Sequence, residues 1–438
     1  MRNLGDPAIR DKHLPDPFGG FFKSPSAPSS SGALLDTPSA RQWLKLLAWG
    51  SRNDLYTFQQ ALDGRSGPWV RVGGRPYIMA SSYDYLGLIG HPVLDAAAID
   101  AVQRFGTGTG GVRILTGTTD LHRRLESELA RFKGTEAALV YNSGYTANVA
   151  VLQSLLGPDD LVIADERIHR SIVDGCRLAR VPVRTFAHND PGDLHRQLEA
   201  GCPARTLVII EGVYSMDGDI APLPEILDLK SQHHFFLMVD ESHSLGVLGA
   251  TGRGLDEHWN APDGVDIWTG SLSKAIPAGG GFVAGRRDLV IYLQHDSGPF
   301  VFSAALNPAA VGAALAALGV INSERWRLTL MRENGARLRA GLHELGFDTG
   351  ASRTPLVPVI LGDSVLTYRV ARELWRRGIL ACAVTYPAVP VESSRLRLCA
   401  TAGHLPDDIE EILHAFRDLR EGLVRLSQRQ PSHPAAHR

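Results

Sequence analysis

Residues 269–281 read TGSLSKAIPAGGG, and their lysine, Lys274, is one of six in a chain that carries 39 arginines. A primary amine condenses with an aldehyde to form a Schiff base, whereas a guanidinium stays protonated and cannot. Covalent chemistry would explain the choice of lysine; a surface position or a phosphate contact would also accommodate it. Three other stretches bear on the question. In LVYNSGYTANVAVLQSLL (139–156) an apolar strand turns through Asn-Ser-Gly into a helix. The N–H groups of Ser143, Gly144 and Tyr145 would then face an anion at the helix N-terminus, although an ordinary strand-to-helix turn reads the same way. In FFLMVDESHS (235–244) a buried strand ends at Asp240 and then presents Ser242 and His243. A carboxylate there lies where open α/β sheets bind ligands and could hold a pyridine nitrogen protonated. An Asp that caps the next turn, and a satisfied core histidine at 243, are the plainer alternatives. In ADERIHRSIVDG (164–175) His169 follows another strand end, where an imidazole can stack on an aromatic ring.

Chain order links these features. A phosphate turn, a histidine, a strand-end Asp and a downstream lysine preceded by Ser271 and Ser273 together describe a pocket for pyridoxal 5'-phosphate (PLP). The phosphate would lie on a helix N-terminus, the ring nitrogen on Asp240 and the aldehyde on Lys274. A competing motif, GTGTGG (106–111), fits the glycine pattern of dinucleotide binding. That fingerprint needs a strand before it and a helix after it, whereas AAAIDAVQRF before it reads as helix, so a structural or substrate-proximal loop is the better reading.

The elements that must carry these residues follow from apolar periodicity. AALVY (137–141), LVIA (161–164), TLVII (206–210), FFLMV (235–239) and GFVAG (281–285) alternate with segments of helical period. Strands apolar on both faces and separated by helices predict an α/β fold with a mostly parallel sheet covered on both sides. After about residue 305 an Ala-rich helical stretch gives way to short strands such as LVPVIL and SRLRLCA, which predicts a smaller C-terminal α+β domain. The expected organisation is a flexible leader (1–40), an N-terminal segment (41–90), a large PLP-binding domain (91–320), the C-terminal domain (321–425) and a flexible tail (426–438).

The 438 residues, 44% hydrophobic with a formal net charge of -2, leave no electrostatic footprint for nucleic acid or an anionic membrane. Four cysteines without CxxC spacing suit reduced thiols better than disulfides or zinc, and Cys382 and Cys399 sit in apolar runs that read as core. The chain shows neither a secretory h-region nor a membrane-length apolar run, so a cytoplasmic location is expected.

From SSYDYLGL (81–88) through EGVYSMDGDIAPLPEI (211–226), DESHSLGVLGATGRG (240–254) and GSLSKA to SRLRLCATAGH (394–404), the chain resembles the α-oxoamine synthases, PLP enzymes of fold type I. The resemblance implies Lys274 as the Schiff-base lysine, Asp240 as the partner of the ring nitrogen, His243 as the ligand of the phenolic oxygen and His169 as the stacked imidazole. It implies cofactor contacts at Ser143, Gly144, Tyr145, Ser215, Ser242 and Ser271, and substrate contacts at Arg397, for a carboxylate, and Tyr83. It also implies a homodimer with the active site at the interface, where Ser303 reaches the partner's phosphate. Ser242 stands where many members have alanine, Arg170 replaces a small residue after the stacking histidine, and Pro277 interrupts the glycine-rich run. The implied reaction is a decarboxylative condensation of a small amino acid with an acyl thioester, carried on CoA or an acyl carrier protein, to an α-aminoketone. An aminotransferase or decarboxylase on the same fold remains an alternative; an inactive partner subunit would be expected to lack the lysine.

Overall fold

The computed structural model describes residues 33–428. Composition assigns residues 1–40 to a flexible leader, yet its end holds a 3-10 turn, Ala33–Leu35, and the start of a helix, Pro38–Arg52. The cause is local: the Thr37 hydroxyl accepts the Ala40 N–H at 3.2 Å and Pro38 sits in the first turn. The rest of the leader, 1–32, lies outside the described residues, as do residues 429–438 of the expected tail.

A hairpin of β1 (Trp69–Val72) and β2 (Arg75–Met79) precedes the large layer. That layer contains β3 (Ala137–Tyr141), β4 (Leu161–Asp165), β5 (Val183–Phe186), β6 (Thr206–Glu211), β7 (Phe236–Asp240), β8 (Ile267–Ser273) and β9 (Pro277–Gly285). Their spatial order is β3-β9-β8-β7-β6-β4-β5, with β9 antiparallel to both neighbours and the other pairings parallel. Alternation along each strand feeds two cores. On β7, Leu237 and Val239 enter one and Met238 the other; on β6, Val208 and Ile210 alternate with Leu207 and Ile209. The helices Asp120–Lys133 and Pro308–Ser323 close the first face, and Gly144–Leu155 and Arg170–Ala179 close the second. Each aliphatic side chain fully removed from water contributes roughly 1.5–3 kcal/mol, so burial on both faces is what makes these strands continuous apolar runs.

The smaller C-terminal domain has its own core. β10 (Leu356–Ile360), β12 (Cys382–Val384) and β13 (Arg395–Cys399) form an antiparallel sheet in the order β10-β13-β12. β11 (Ile379–Leu380) joins β2 in parallel. Ile78 and Ala80 from the N-terminal segment pack with Leu342, Val357, Leu396 and Phe416, so the first and last parts of the chain share one core. The GTGTGG loop follows the helix Pro92–Phe105 rather than a strand, and thus lacks the setting of a dinucleotide fingerprint. All four cysteines are free thiols; Cys399 is buried and Cys382 is partly exposed. Among the described residues no helix is long and apolar enough to cross a membrane, and no cluster of His, Cys, Asp or Glu is arranged to hold a metal.

Candidate active site

The carboxyl ends of the parallel strands converge on one cleft. Asp240 is the last residue of β7, His243 follows in the next loop, and Lys274 occupies the tight connection between β8 and β9. His169 is the N-cap of the helix Arg170–Ala179, its side chain accepting the Ser171 N–H. Arg397 comes from the other core, on β13, with its Nε donating to the Ser215 carbonyl at 2.6 Å. That contact fixes the guanidinium through Ser215's backbone carbonyl. Tyr83 is near both basic groups: its ring centroid is 5.8 Å from Lys274 Nζ and 5.7 Å from Arg397 Cζ.

The charges of these groups are interdependent. Desolvation pushes the Lys274 amine below its ordinary range and Arg397 adds to this, while Asp240 and Glu211 oppose it. Burial first, then Lys274 and Arg397, hold His243 well below the usual imidazole range, so its ring is neutral. His169 is lowered too, chiefly by desolvation. Glu211 pairs in register with Asp240, and burial reinforced by that neighbouring charge pushes its carboxyl well above the usual range. Asp240 accepts from the Ser242 N–H on Oδ1 at 2.8 Å and from Asn148 Nδ2 on Oδ2 at 2.7 Å, so both its oxygens are held.

The turn after β3 differs in one respect from the sequence expectation. Ser143 forms a capping box with Thr146: its N–H donates to Thr146 Oγ1 at 3.0 Å, and its Oγ accepts the Thr146 N–H at 3.1 Å. The Ser143 N–H is therefore already committed, and the helix N-terminus offered to an anion is that of Gly144 and Tyr145. Gly144 leaves no room for a side chain, because a Cβ would lie 3.0 Å from that of Ser271, which brings the Ser271 hydroxyl to the same turn. The glycines after the lysine serve this turn as well. A Cβ on Gly281 would fall 2.4 Å from the Gly144 nitrogen, and Gly280 has φ +105. Pro277 opens β9 opposite Ser273. Arg170, on the surface, pairs with Asp174 at 2.7 Å, and Asp174 accepts the Tyr145 hydroxyl at 2.6 Å. Ser303 Oγ accepts from Asn142 Nδ2 of the same chain at 2.8 Å, so it stands beside its own turn.

Tyr85, Asn148, Ser171 and Thr269 were not singled out from the sequence. The Tyr85 hydroxyl lies 2.7 Å from His243 Nδ1, and burial raises its pKa far above the usual phenol range. It therefore stays protonated and pairs with the neutral ring at Nδ1, which leaves Nε2 as the nitrogen free to face the cleft. The only signal was the Tyr-Asp-Tyr spacing, in which Tyr83 and Tyr85 are equivalent until burial separates them: Tyr85 is 1% exposed and Tyr83 46%.

This donor set fits PLP. The amine of Lys274 makes no hydrogen bond or ion pair among the described residues, a buried carboxylate and two neutral imidazoles surround it, and a helix N-terminus with a serine hydroxyl lies beyond.

Comparison with known proteins agrees. The model of the family "Aminotransferase class I and II" matches residues 76–416. The 8-amino-7-oxononanoate synthase of Thermoanaerobacter pseudethanolicus is 42% identical over 371 residues, covering 84% of this chain and 94% of the relative. The solved serine palmitoyltransferase of Sphingomonas wittichii superposes with a TM-score of 0.84 at 32% identity, covering 90% of this chain and 100% of that one. A serine palmitoyltransferase variant from S. paucimobilis, with PLP and myriocin bound, gives a TM-score of 0.83 at 30% identity, covering 88% of this chain and 97% of that one. The chain therefore belongs to the class I and II aminotransferase family and, within it, to the PLP-dependent α-oxoamine synthases.

Proposed function

We propose that this enzyme condenses a small amino acid (serine, alanine or glycine) with a medium or long fatty acyl thioester, releasing the thiol and CO2 and leaving an α-aminoketone. The observation that carries the reading is the convergence of Lys274, Asp240, His243 and His169 from one sheet with Arg397 from another core. When bound, PLP supplies the electron sink that makes the Cα–H of an attached amino acid acidic. Asp240, held by Asn148 and the Ser242 N–H, keeps a proton on the ring nitrogen. His243, whose Nδ1 is taken up by Tyr85, would turn its Nε2 to the phenolic oxygen. His169 offers a neutral ring for stacking, and Ser271 with the Gly144–Tyr145 turn receives the phosphate. Arg397, already anchored through Nε, turns its remaining N–H groups to the substrate carboxylate, beside Tyr83. The Lys274 amine, depressed by desolvation and by Arg397, is poised to take the Cα proton at Nζ.

An apolar cavity of about 710 Å³, lined by Trp43, Leu47, Tyr56, Phe58, Met216 and Pro387 among others, supports a fatty rather than a small acyl group. It reaches Met216, whose neighbour Ser215 holds Arg397. We also take the enzyme to be a cytoplasmic homodimer. Free thiols suit a reducing compartment. Leu115 (77% exposed) and Phe302 (85% exposed) lie on adjoining loops bridged by Val112 and Ala304, and Phe302 neighbours Ser303, which in this reading reaches the partner's phosphate.

The test is an assay of thiol release across panels of amino acids and acyl-CoAs, with mass spectrometry of the products. Release that depends on both substrates is expected. Keto-acid formation without a thioester would overturn the condensation in favour of transamination.

A further inference from the structure

Behind the ring-facing groups lies a buried network that no single motif announces. Asn148, 1% exposed on the helix Gly144–Leu155, has every polar atom engaged. Its Oδ1 accepts the Thr269 hydroxyl at 2.7 Å, one Nδ2 hydrogen goes to Asp240 Oδ2 at 2.7 Å, and the other goes to Ser171 Oγ at 2.9 Å. Ser171 is fully buried, and its Oγ lies 2.7 Å from His169 Nδ1. Only one pattern of hydrogens satisfies all these contacts. The amide must turn its NH2 to the carboxylate, because the reverse would set two oxygens against each other. Ser171 Oγ then accepts from Asn148, and its single hydrogen is left for His169 Nδ1. That nitrogen also accepts the Ser171 N–H at 3.2 Å, so its proton can sit only on Nε2.

We propose that Asn148 and Ser171 are positioning residues that set, from one amide, both the carboxylate of Asp240 and the Nε2–H tautomer of His169. The proposal rests on the reading that these two groups face the PLP ring. Asn148 touches neither His169 nor, in this reading, the ring; its influence on the imidazole passes through the orientation of one hydroxyl. Protonating His169 on Nδ1 would require Ser171 to turn its hydrogen away, toward the Asn148 N–H that now donates to it. The bridge thereby opposes the imidazolium in addition to burial. The other titratable groups facing His169 are Asp240, Lys274, His243 and Glu211; Asp240 favours its protonation, Lys274 opposes it, burial holds the His243 ring neutral, and Glu211, its carboxyl pushed well above the usual range, accepts the His169 backbone N–H.

The experiment is nitrogen-15 NMR of the histidine rings in the full-length chain, with and without PLP, the His169 signals being assigned with His169→Gln. Wild type should show His169 as Nε2–H. Ser171→Ala should admit the Nδ1–H form and raise the ring's pKa by about one unit, a tenfold change in its protonation equilibrium. Asn148→Leu, similar in size and linked to the imidazole only through the Ser171 hydroxyl, should shift the same ring in the same direction, which a merely space-filling residue would not do. Asn148→Asp, which sets a second carboxylate against Asp240, should weaken PLP retention roughly tenfold or more. An Nδ1–H tautomer in the wild type, or His169 signals unchanged in both Ser171→Ala and Asn148→Leu, would overturn the bridge. If Asn148→Leu does not fold, Ser171→Ala decides. None of these measurements needs turnover, so their outcome is separate from that of the condensation assay.

Discussion

Two lysines of this lysine-poor chain lie inside the large domain, and their surroundings are opposite. Lys133 is fully buried and saturated: Nζ reaches Glu241 and Asp256 at 2.9 Å each and the Arg253 carbonyl at 2.8 Å, and lies 3.8 Å from the centroid of the Trp268 ring. Lys274 has no such partners, and desolvation pushes its amine toward the neutral form. The first is an ammonium that clamps the loop following Asp240. The second is kept reactive by what is missing around it. Burial alone does not mark a catalytic lysine; burial without satisfaction does.

Substitutions can break that contrast. Lys274→Ala should abolish the absorbance band that depends on the covalent link between lysine and cofactor and lower turnover by at least about 10²–10⁴-fold, the share of a lost general base, with thermal stability retained. Wild-type absorbance in this variant would refute the assignment. Lys133→Met should do the reverse: leaving Glu241 and Asp256 buried without their cation should cost about 3–5 kcal/mol in denaturant unfolding, with turnover per folded molecule little changed. Arg397→Lys should raise KM for the amino acid about 10–100-fold through loss of charge-assisted contacts while the cofactor stays bound. Arg397→Gln sharpens the electrostatic part. Since Arg397 lowers the Lys274 pKa, removing its charge should raise that pKa and move the alkaline-going limb of the kcat profile to higher pH. The smallest effect is expected for Tyr85→Phe, which deprives His243 of one hydrogen bond and should reduce kcat about 3- to 10-fold.

The sequence revealed the strands buried on both faces, because such strands are continuous apolar runs. β5 and β8 were less visible. Edge strand β5 leaves Val183 45% exposed, and β8 carries Thr269, Ser271 and Ser273, polar residues that break the apolar run because they serve the cleft and its network. The site residues that could be read were those whose chemistry stands in one short stretch. Asn148 could not be read, since its three contacts come from Ser171, Asp240 and Thr269, on a different helix and on two strands. Tyr85 needed burial to separate it from Tyr83. The commitment of the Ser143 N–H needed the geometry of Thr146, although the polar spacing was present. The glycine-rich run after Lys274 was visible as such, but only the structure shows that Gly281 admits the backbone of the Ser143–Gly144 turn.

The reversed strand β9 also bears on the order in which the site comes into being. Among the described residues β3 pairs in the sheet with β9 alone, which lies between it and β8. The strand made at residues 137–141 must therefore wait for residues 277–285 before it can dock, a pairing of long sequence separation and high closure entropy. The anion turn that follows β3 and the lysine that precedes β9 are thus brought together by one strand pairing. Whatever weakens that pairing would loosen the phosphate seat and the lysine together.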